Sequence, residues 1–208
     1  MTKASREAHT KSPDDLSHVE SSKVGAVARK GAVWSALQIG GRQLISIGST
    51  AILARLVTPD DYGLLGMVTT LTALLLVFSD MGLSWATVQR KELSQAQVSN
   101  LFWLNAVAGL LLWGLCILLA PWVASFYARD ELQAVTIALG ATFVLGGLAA
   151  QPFALMTRRM QFKQMAKIEI AALAASAMAG IAFALMGWGY WALVIQALVG
   201  QGVRLLLA

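Results

Sequence analysis

Chemistry-bearing side chains are scarce in this chain, whose 208 residues hold one cysteine, two histidines and 13% charged residues. A lone Cys116 excludes an intramolecular disulfide, and its place inside an apolar run makes it a small packing residue. Both histidines, His9 and His18, stand in a polar N-terminal stretch with no second set of ligands nearby, so no metal site is expected. There is no glycine loop followed by Lys and Ser/Thr, no Ser/His/Asp set and no carboxylate pair poised at a membrane edge. Enzymatic chemistry is therefore not expected, nor is a cofactor. Charge itself is missing over long runs. Between Glu92 and Arg129, between Glu131 and Arg158, and between Glu169 and Arg204, nothing ionises except tyrosines and Cys116. Each run exceeds the ~20 residues that a bilayer-crossing helix needs.

What is present is hydrocarbon: 57% hydrophobic residues and a mean hydropathy of +0.65, well to the apolar side of soluble domains. The net charge of +5 does not imply nucleic acid, because the cations are dispersed among the flanks of apolar runs instead of forming one basic face. Residues 1–24 are polar and without hydrophobic periodicity, and are read as a disordered cytoplasmic tail, not a signal peptide. Residues 25–208 are read as a six-helix transmembrane lobe, with spans at 32–53, 62–83, 101–123, 132–155, 166–186 and 190–207. The fold class expected is all-α, a polytopic transmembrane helix bundle. Helices satisfy their own backbone in lipid, and the short alternating strands of a membrane barrel are not seen. Turns are expected at Pro59 with Asp60 and Asp61, at Pro121, at Arg158 and Arg159, and at Gly187 and Gly189.

Lysine and arginine counts orient the spans. One side collects Arg29, Lys30, Arg90, Lys91, Arg158, Arg159, Lys163, Lys167 and Arg204, and is read as cytoplasmic. The other holds only Arg55, near Asp60 and Asp61, and Arg129, beside Asp130 and Glu131. Trp122, Phe126, Tyr127, Trp188, Tyr190 and Trp191 fall at the outer interface, and Trp85, Phe102 and Trp103 toward the inner one; Trp113 alone is mid-span. An even number of spans puts both termini in the cytoplasm.

Span one carries the polar signal. Arg42 lies about a dozen residues beyond Lys30, close to mid-bilayer at 1.5 Å rise per residue. A central arginine facing lipid costs roughly 2.5–3.5 kcal/mol on insertion scales, so it should face protein or a water-filled cavity. Ser35, Gln38, Arg42, Ser46 and Ser49 recur at three- or four-residue steps within an arc of roughly 80°. Two readings of Arg42 stay open. It pairs with Asp80, the only acid inside a span away from its ends and about five residues, or ~7 Å, from level. Or it contacts an anion in a cavity, since a guanidinium fork suits phosphate oxygens. Thr69, Thr72, Ser79 and Asp80 share one side of span two, where hydroxyls bonding back to their own helix is the favoured reading. Gln196 and Gln151 are read as interhelical hydrogen-bonding groups before pathway residues. Ala171, Ala175, Ala179, Ser176 and Gly180 are read as a close-packing face on span five.

Several stretches resemble a known family. Gly31-Ala32-Val33-Trp34-Ser35 and Leu53-Ala54-Arg55-Leu56-Val57-Thr58-Pro59-Asp60-Asp61-Tyr62-Gly63 resemble the start of polysaccharide exporters and flippases. Phe78-Ser79-Asp80-Met81-Gly82-Leu83, Val88-Gln89-Arg90-Lys91, Phe102-Trp103-Leu104-Asn105, Phe126-Tyr127, Arg159-Met160-Gln161-Phe162-Lys163 and Gly187-Trp188-Gly189-Tyr190-Trp191-Ala192-Leu193-Val194 continue the likeness. Together they resemble the Wzx-type, colanic-acid-exporter-like branch of the multidrug/oligosaccharidyl-lipid/polysaccharide exporter superfamily. The resemblance implies a bacterial inner-membrane protein translocating undecaprenyl-diphosphate-linked oligosaccharide, for lipopolysaccharide or exopolysaccharide assembly, between two six-helix lobes. Arg42, with Gln38, Ser46 and Ser49, best suits its cationic cavity. Arg55 suits an outer anchor.

Family members usually carry twelve to fourteen spans, so this sequence, ending after its sixth, is expected to be the first lobe of a MATE-like flippase. Its expected partners are the lipid-linked oligosaccharide, membrane lipids, polysaccharide assembly enzymes, and either a second lobe or a second copy forming a homodimer. Two other classes stay open. One is a drug/cation antiporter coupling through Asp80; the other is a non-transporting scaffold of a polysaccharide assembly complex.

Overall fold

The computed structural model describes residues 39–88 and 95–208, with the side chains of 77–88 and 95–99 outside that description. Residues 1–38, and with them the tail, the histidines and the start of span one, lie outside it too. The chain divides into two compact units, Met1–Gln43 and Leu44–Ala208. Six helices and no strand are found among the described residues, the all-α architecture expected. They are α1 (39–56), within which the division falls, and α2 (Pro59–Val88), α3 (Gln95–Tyr127), α4 (Glu131–Arg158), α5 (Phe162–Leu185) and α6 (Tyr190–Leu207). Among the described residues four stretches are long and apolar enough to cross a membrane: Asn100–Tyr127, Glu131–Arg158, Phe162–Leu185 and Tyr190–Leu207.

Local chemistry sets where the helices begin and end. Thr58 caps α2 with Pro59 in the first helical position, where a missing N–H is harmless. The Thr58 hydroxyl accepts from the Asp61 N–H at 3.2 Å, while the Asp61 carboxylate accepts from the Thr58 N–H at 3.2 Å and from its hydroxyl at 2.7 Å, a reciprocal capping box. Helices α3, α4 and α5 end alike, each with one residue in the left-handed region: Ala128 (φ 53°), Met160 (φ 53°) and Gly187 (φ 79°). The following N–H reaches back to close the last turn, Arg129 to Ala124 O, Gln161 to Met156 O and Trp188 to Phe183 O, at 3.0, 2.9 and 3.2 Å. That is the Schellman pattern, which glycine adopts without strain and Ala128 and Met160 adopt against a small penalty.

Within the second unit the most extensive seams are α3 against α4 and α5 against α6, and α4 also lies along α6. Lipid tails are as apolar as leucine, so helix association here rests on close van der Waals fit more than on hydrophobic burial. The α3–α4 seam shows this most directly. A Cβ on Gly109 would lie 2.6 Å from the Phe143 carbonyl oxygen, one on Gly147 2.5 Å from that of Asn105, and one on Gly140 2.7 Å from the Cys116 Cβ. The mid-span Trp113 indole donates to the Ile137 carbonyl at 3.0 Å across the same seam. On the α5–α6 seam, Gly180 faces Gln196 and Gly200 faces Ser176. Leu64, Val68, Ala124, Leu132, Val135, Leu139 and Val194 knit α2, α3, α4 and α6 into one core. Cys116 is buried, packed with Leu75 and Phe143.

Two expectations need correction. Pro121 does not mark a turn, because α3 continues through it to Tyr127. An internal proline frees a single carbonyl, here that of Ile117, and membrane helices tolerate this. The packing face of α5 contains Ser176 and Gly180 but is rotated from the one expected: Ala172, Ala177 and Ala184 are buried, whereas Ala171 is exposed.

Candidate functional site

Contacts sort the helix termini into two ends. At one, four acids (Asp60, Asp61, Asp130, Glu131) accompany Arg55 and Arg129; at the other, Arg158, Arg159, Lys163, Lys167 and Arg204 accompany Glu169 alone among the described residues.

At the acidic end two turns converge on the α1–α2 segment Thr58-Pro59-Asp60-Asp61. Arg129, in the α3–α4 turn, donates through both terminal nitrogens to the two Asp60 carboxylate oxygens, each at 2.8 Å. This fork holds the Asp60 carboxyl below its ordinary value, chiefly through the Arg129 hydrogen bonds, with desolvation opposing and the arginine's charge assisting. The same hydrogen bonds, followed by the attraction of Asp60, raise Arg129. The α5–α6 turn arrives at Asp61, where a Cβ on Gly189 would sit 3.3 Å from Oδ1. Gly189 has φ 54° and ψ −128°, a conformation that L side chains rarely adopt.

At the basic end, Arg204 donates to Glu169 at 2.6 Å and to Gln201 at 3.4 Å. The half-buried pair joins α6 to α5. In sequence Arg204 counts among the cations of one side and Glu169 only bounds an uncharged run, and the two are not paired there. The signal was present, since Glu169 and Arg204 stand within one residue of equidistant from Gly187, the pivot of an antiparallel hairpin.

The residues expected to form a cavity fall as follows. Gln38 lies outside the described residues. Arg42 is helical and exposed in the first unit. In the second unit Ser46 is half-buried, while Ser49 is 5% exposed and accepts a hydrogen bond from Gln196 Nε2 at 3.3 Å. Gln196 thus makes the interhelical bond expected of it, joining α6 to α1. Asp80 lies on α2, but its side chain is outside the description, as is that of Ser79. Thr69 and Thr72 bond back to their own helix, at Gly66 O and at Val68 O and Thr69 O. Gln151, next to Pro152 inside α4, differs from expectation. It is 3% exposed, and neither end of its amide meets a hydrogen-bond partner among the described residues. The hydroxyl of Thr136, fully buried, likewise has no partner among the described residues. No group of three or more His, Cys, Asp or Glu is placed to hold a metal ion among the described residues.

An all-helical bundle with membrane-length apolar helices and polar groups spent on turns and helix pairing defines an integral membrane protein. Residues 52–208 match the family described as "Polysaccharide biosynthesis protein", and the chain belongs to that polysaccharide exporter family. It is similar to the teichuronic acid biosynthesis protein TuaB of Bacillus subtilis, at 33% identity over 140 residues, 67% of this chain and 29% of that one. It is similar to the lipopolysaccharide biosynthesis protein WzxC of Escherichia coli, at 29% identity over 177 residues, 84% of this chain and 35% of that one. The succinoglycan biosynthesis transport protein ExoT of Rhizobium meliloti shares 29% identity over 174 residues, 83% of this chain and 35% of its own. The chain thus spans about a third of the length of these relatives. No solved structure matches.

Proposed function

We propose that this chain is one lobe of a translocase that moves an undecaprenyl-diphosphate-linked oligosaccharide across the bacterial inner membrane, for lipopolysaccharide or exopolysaccharide assembly, with both termini cytoplasmic. The observation carrying the proposal is the family match over 52–208, which takes in α2 to α6 and the end of α1. The relatives' names, concerned with biosynthesis and transport of surface polysaccharide, support it, and no enzymatic role is proposed. In this reading Arg42 meets the lipid diphosphate with a guanidinium fork, which matches phosphate oxygens and gains strength away from bulk water. Gln38 and Ser46 offer hydrogen bonds along the same stripe. Ser49 is engaged with Gln196 and supports the Ser46 turn of α1. A second lobe or a second copy of this chain supplies the facing wall, and the polysaccharide assembly enzymes deliver and receive the substrate.

The test is complementation. The chain, alone and with the second lobe supplied separately, is expressed in cells of the source organism lacking their own copy, and surface polysaccharide is measured. Export is expected to return with the native sequence, to vanish with Arg42→Ala and to persist in part with Arg42→Lys. Full export with Arg42→Ala at equal membrane abundance removes Arg42 from the proposal. No return of export with the native sequence, together with a drug efflux that is lost with Asp80→Asn, favours the antiporter instead.

A further inference from the structure

At the α4–α5 turn exposed apolar and cationic side chains coincide. Met160 is 78% exposed and Phe162 58%, and around them stand Arg158, Arg159, Lys163 and Lys167, all exposed. None of the four cations forms an ion pair among the described residues. The first turn of α5 holds no acid, and the next acid along α5, Glu169, is engaged by Arg204 at 2.6 Å. Nor are the arginines needed to close α4, because the backbone does this itself through the left-handed Met160 and the Gln161 N–H to Met156 O bond. The turn joins two membrane-length helices, Glu131–Arg158 and Phe162–Leu185, so its side chains stand at the depth where hydrocarbon gives way to headgroups.

We propose that this turn is a clamp for anionic phospholipid headgroups in the leaflet at the basic end of the bundle. Met160 and Phe162 enter the acyl boundary while Arg158, Arg159, Lys163 and Lys167 reach the phosphates. Charge complementarity selects the occupant. Unpaired cations around an apolar pair match a surface that is anionic outside and hydrocarbon within, and long basic side chains spread their stems over apolar surface while their heads stay at headgroup level. A nucleic acid or an acidic peptide would satisfy the cations and leave Met160 and Phe162 in water.

The test measures lipid retention by native mass spectrometry on the full chain, purified in detergent and incubated with phosphatidylglycerol or phosphatidylcholine. The native chain is expected to retain phosphatidylglycerol in preference, with the preference falling as salt rises. Replacing all four cations by glutamine should erase it, on the order of fivefold per cation removed. Met160→Ser with Phe162→Ser should weaken retention of both lipids and leave the salt dependence unchanged. Arg129→Gln, at the opposite end, should change neither. Should the fourfold variant fail to purify, the pairs Arg158→Gln/Arg159→Gln and Lys163→Gln/Lys167→Gln carry the same test. Equal retention of the two lipids by the native chain, or an unchanged preference in the glutamine variants, overturns the proposal. So does displacement of phosphatidylglycerol by inorganic phosphate or an acidic peptide alone.

Discussion

The acidic and basic ends of this bundle use their charges in opposite ways. At the acidic end charged groups are consumed by the protein: Arg129 forks onto Asp60, Asp61 closes the capping box with Thr58, and Gly189 leaves room for the Asp61 carboxylate. At the basic end Arg204 pairs with Glu169, and four further cations are exposed and form no ion pair among the described residues. The difference teaches that an excess of one sign cannot be neutralised internally, so it is left for the surroundings, whereas a mixed set of charges fastens turns to one another. The ends are therefore expected to answer differently to mutation, one through folding and the other through lipid.

The sharpest break of that comparison is Gly189→Ala. A methyl group there meets both a forbidden backbone region and the Asp61 carboxylate, and should lower stability by about 1–3 kcal/mol, read as thermal unfolding of the full chain in nanodiscs. At the other end Gly202→Ala, with open space around its Cβ position, should leave stability unchanged or raise it by up to about 1 kcal/mol. Equal losses at the two positions would mean that the acidic end is not specially fastened.

Asp61→Ala removes the capping partner of Thr58 and should cost about 1–2 kcal/mol, with Asp61→Asn retaining part of it. Next in size is Gln151→Leu, near the basic end. Replacing a buried amide without partners by an apolar group of similar shape should raise stability by about 1 kcal/mol; a loss would show that the amide is hydrogen-bonded in the membrane.

Ala128→Gly and Met160→Gly relieve the same left-handed cap, one at each end, and each should gain about 0.5–1 kcal/mol in lipid-free detergent. In vesicles containing phosphatidylglycerol the Met160 gain should shrink while the Ala128 gain holds. The smallest effect is the pH response of Asp60, which lies outside the apolar span. Its carboxyl is held below the ordinary value by Arg129, so the contribution is fully present above the ordinary carboxylate range and is lost as pH falls through the lowered value. Asp60→Asn should therefore unfold at a slightly lower temperature than the native chain near neutral pH and converge with it in strong acid. Convergence beginning near neutrality would place the effect elsewhere.

Much of this was legible in sequence because membranes impose few solutions. Uncharged runs of sufficient length gave helices, and the lysine and arginine tally separated the two ends before any contact was known. Gln196 was read as an interhelical group and bonds Ser49, since an amide among apolar residues needs a partner. Other features were not readable. Pro121 looked like a turn because proline punctuates soluble chains, yet α3 carries it inside. The α5 packing face was misplaced because alanines surround that helix, so composition hardly marks which side is buried. That α6 covers Ser49 was not readable either, because a polar residue on one helix does not reveal which neighbouring helix will meet it.

The sequence by itself determined the helical class, the membrane-length segments, the asymmetry of charge between the ends and the family likeness, because each follows from local composition and from the need to satisfy the backbone in lipid. Only the tertiary structure decided which polar groups meet. Asp60 with Arg129, Asp61 beside Gly189, Glu169 with Arg204 and Ser49 with Gln196 depend on the rotation and register of separate helices. Those are set by small-residue contacts such as Gly109 on Phe143 and Gly147 on Asn105, which fix a distance to a fraction of an ångström and leave no periodic trace in the chain.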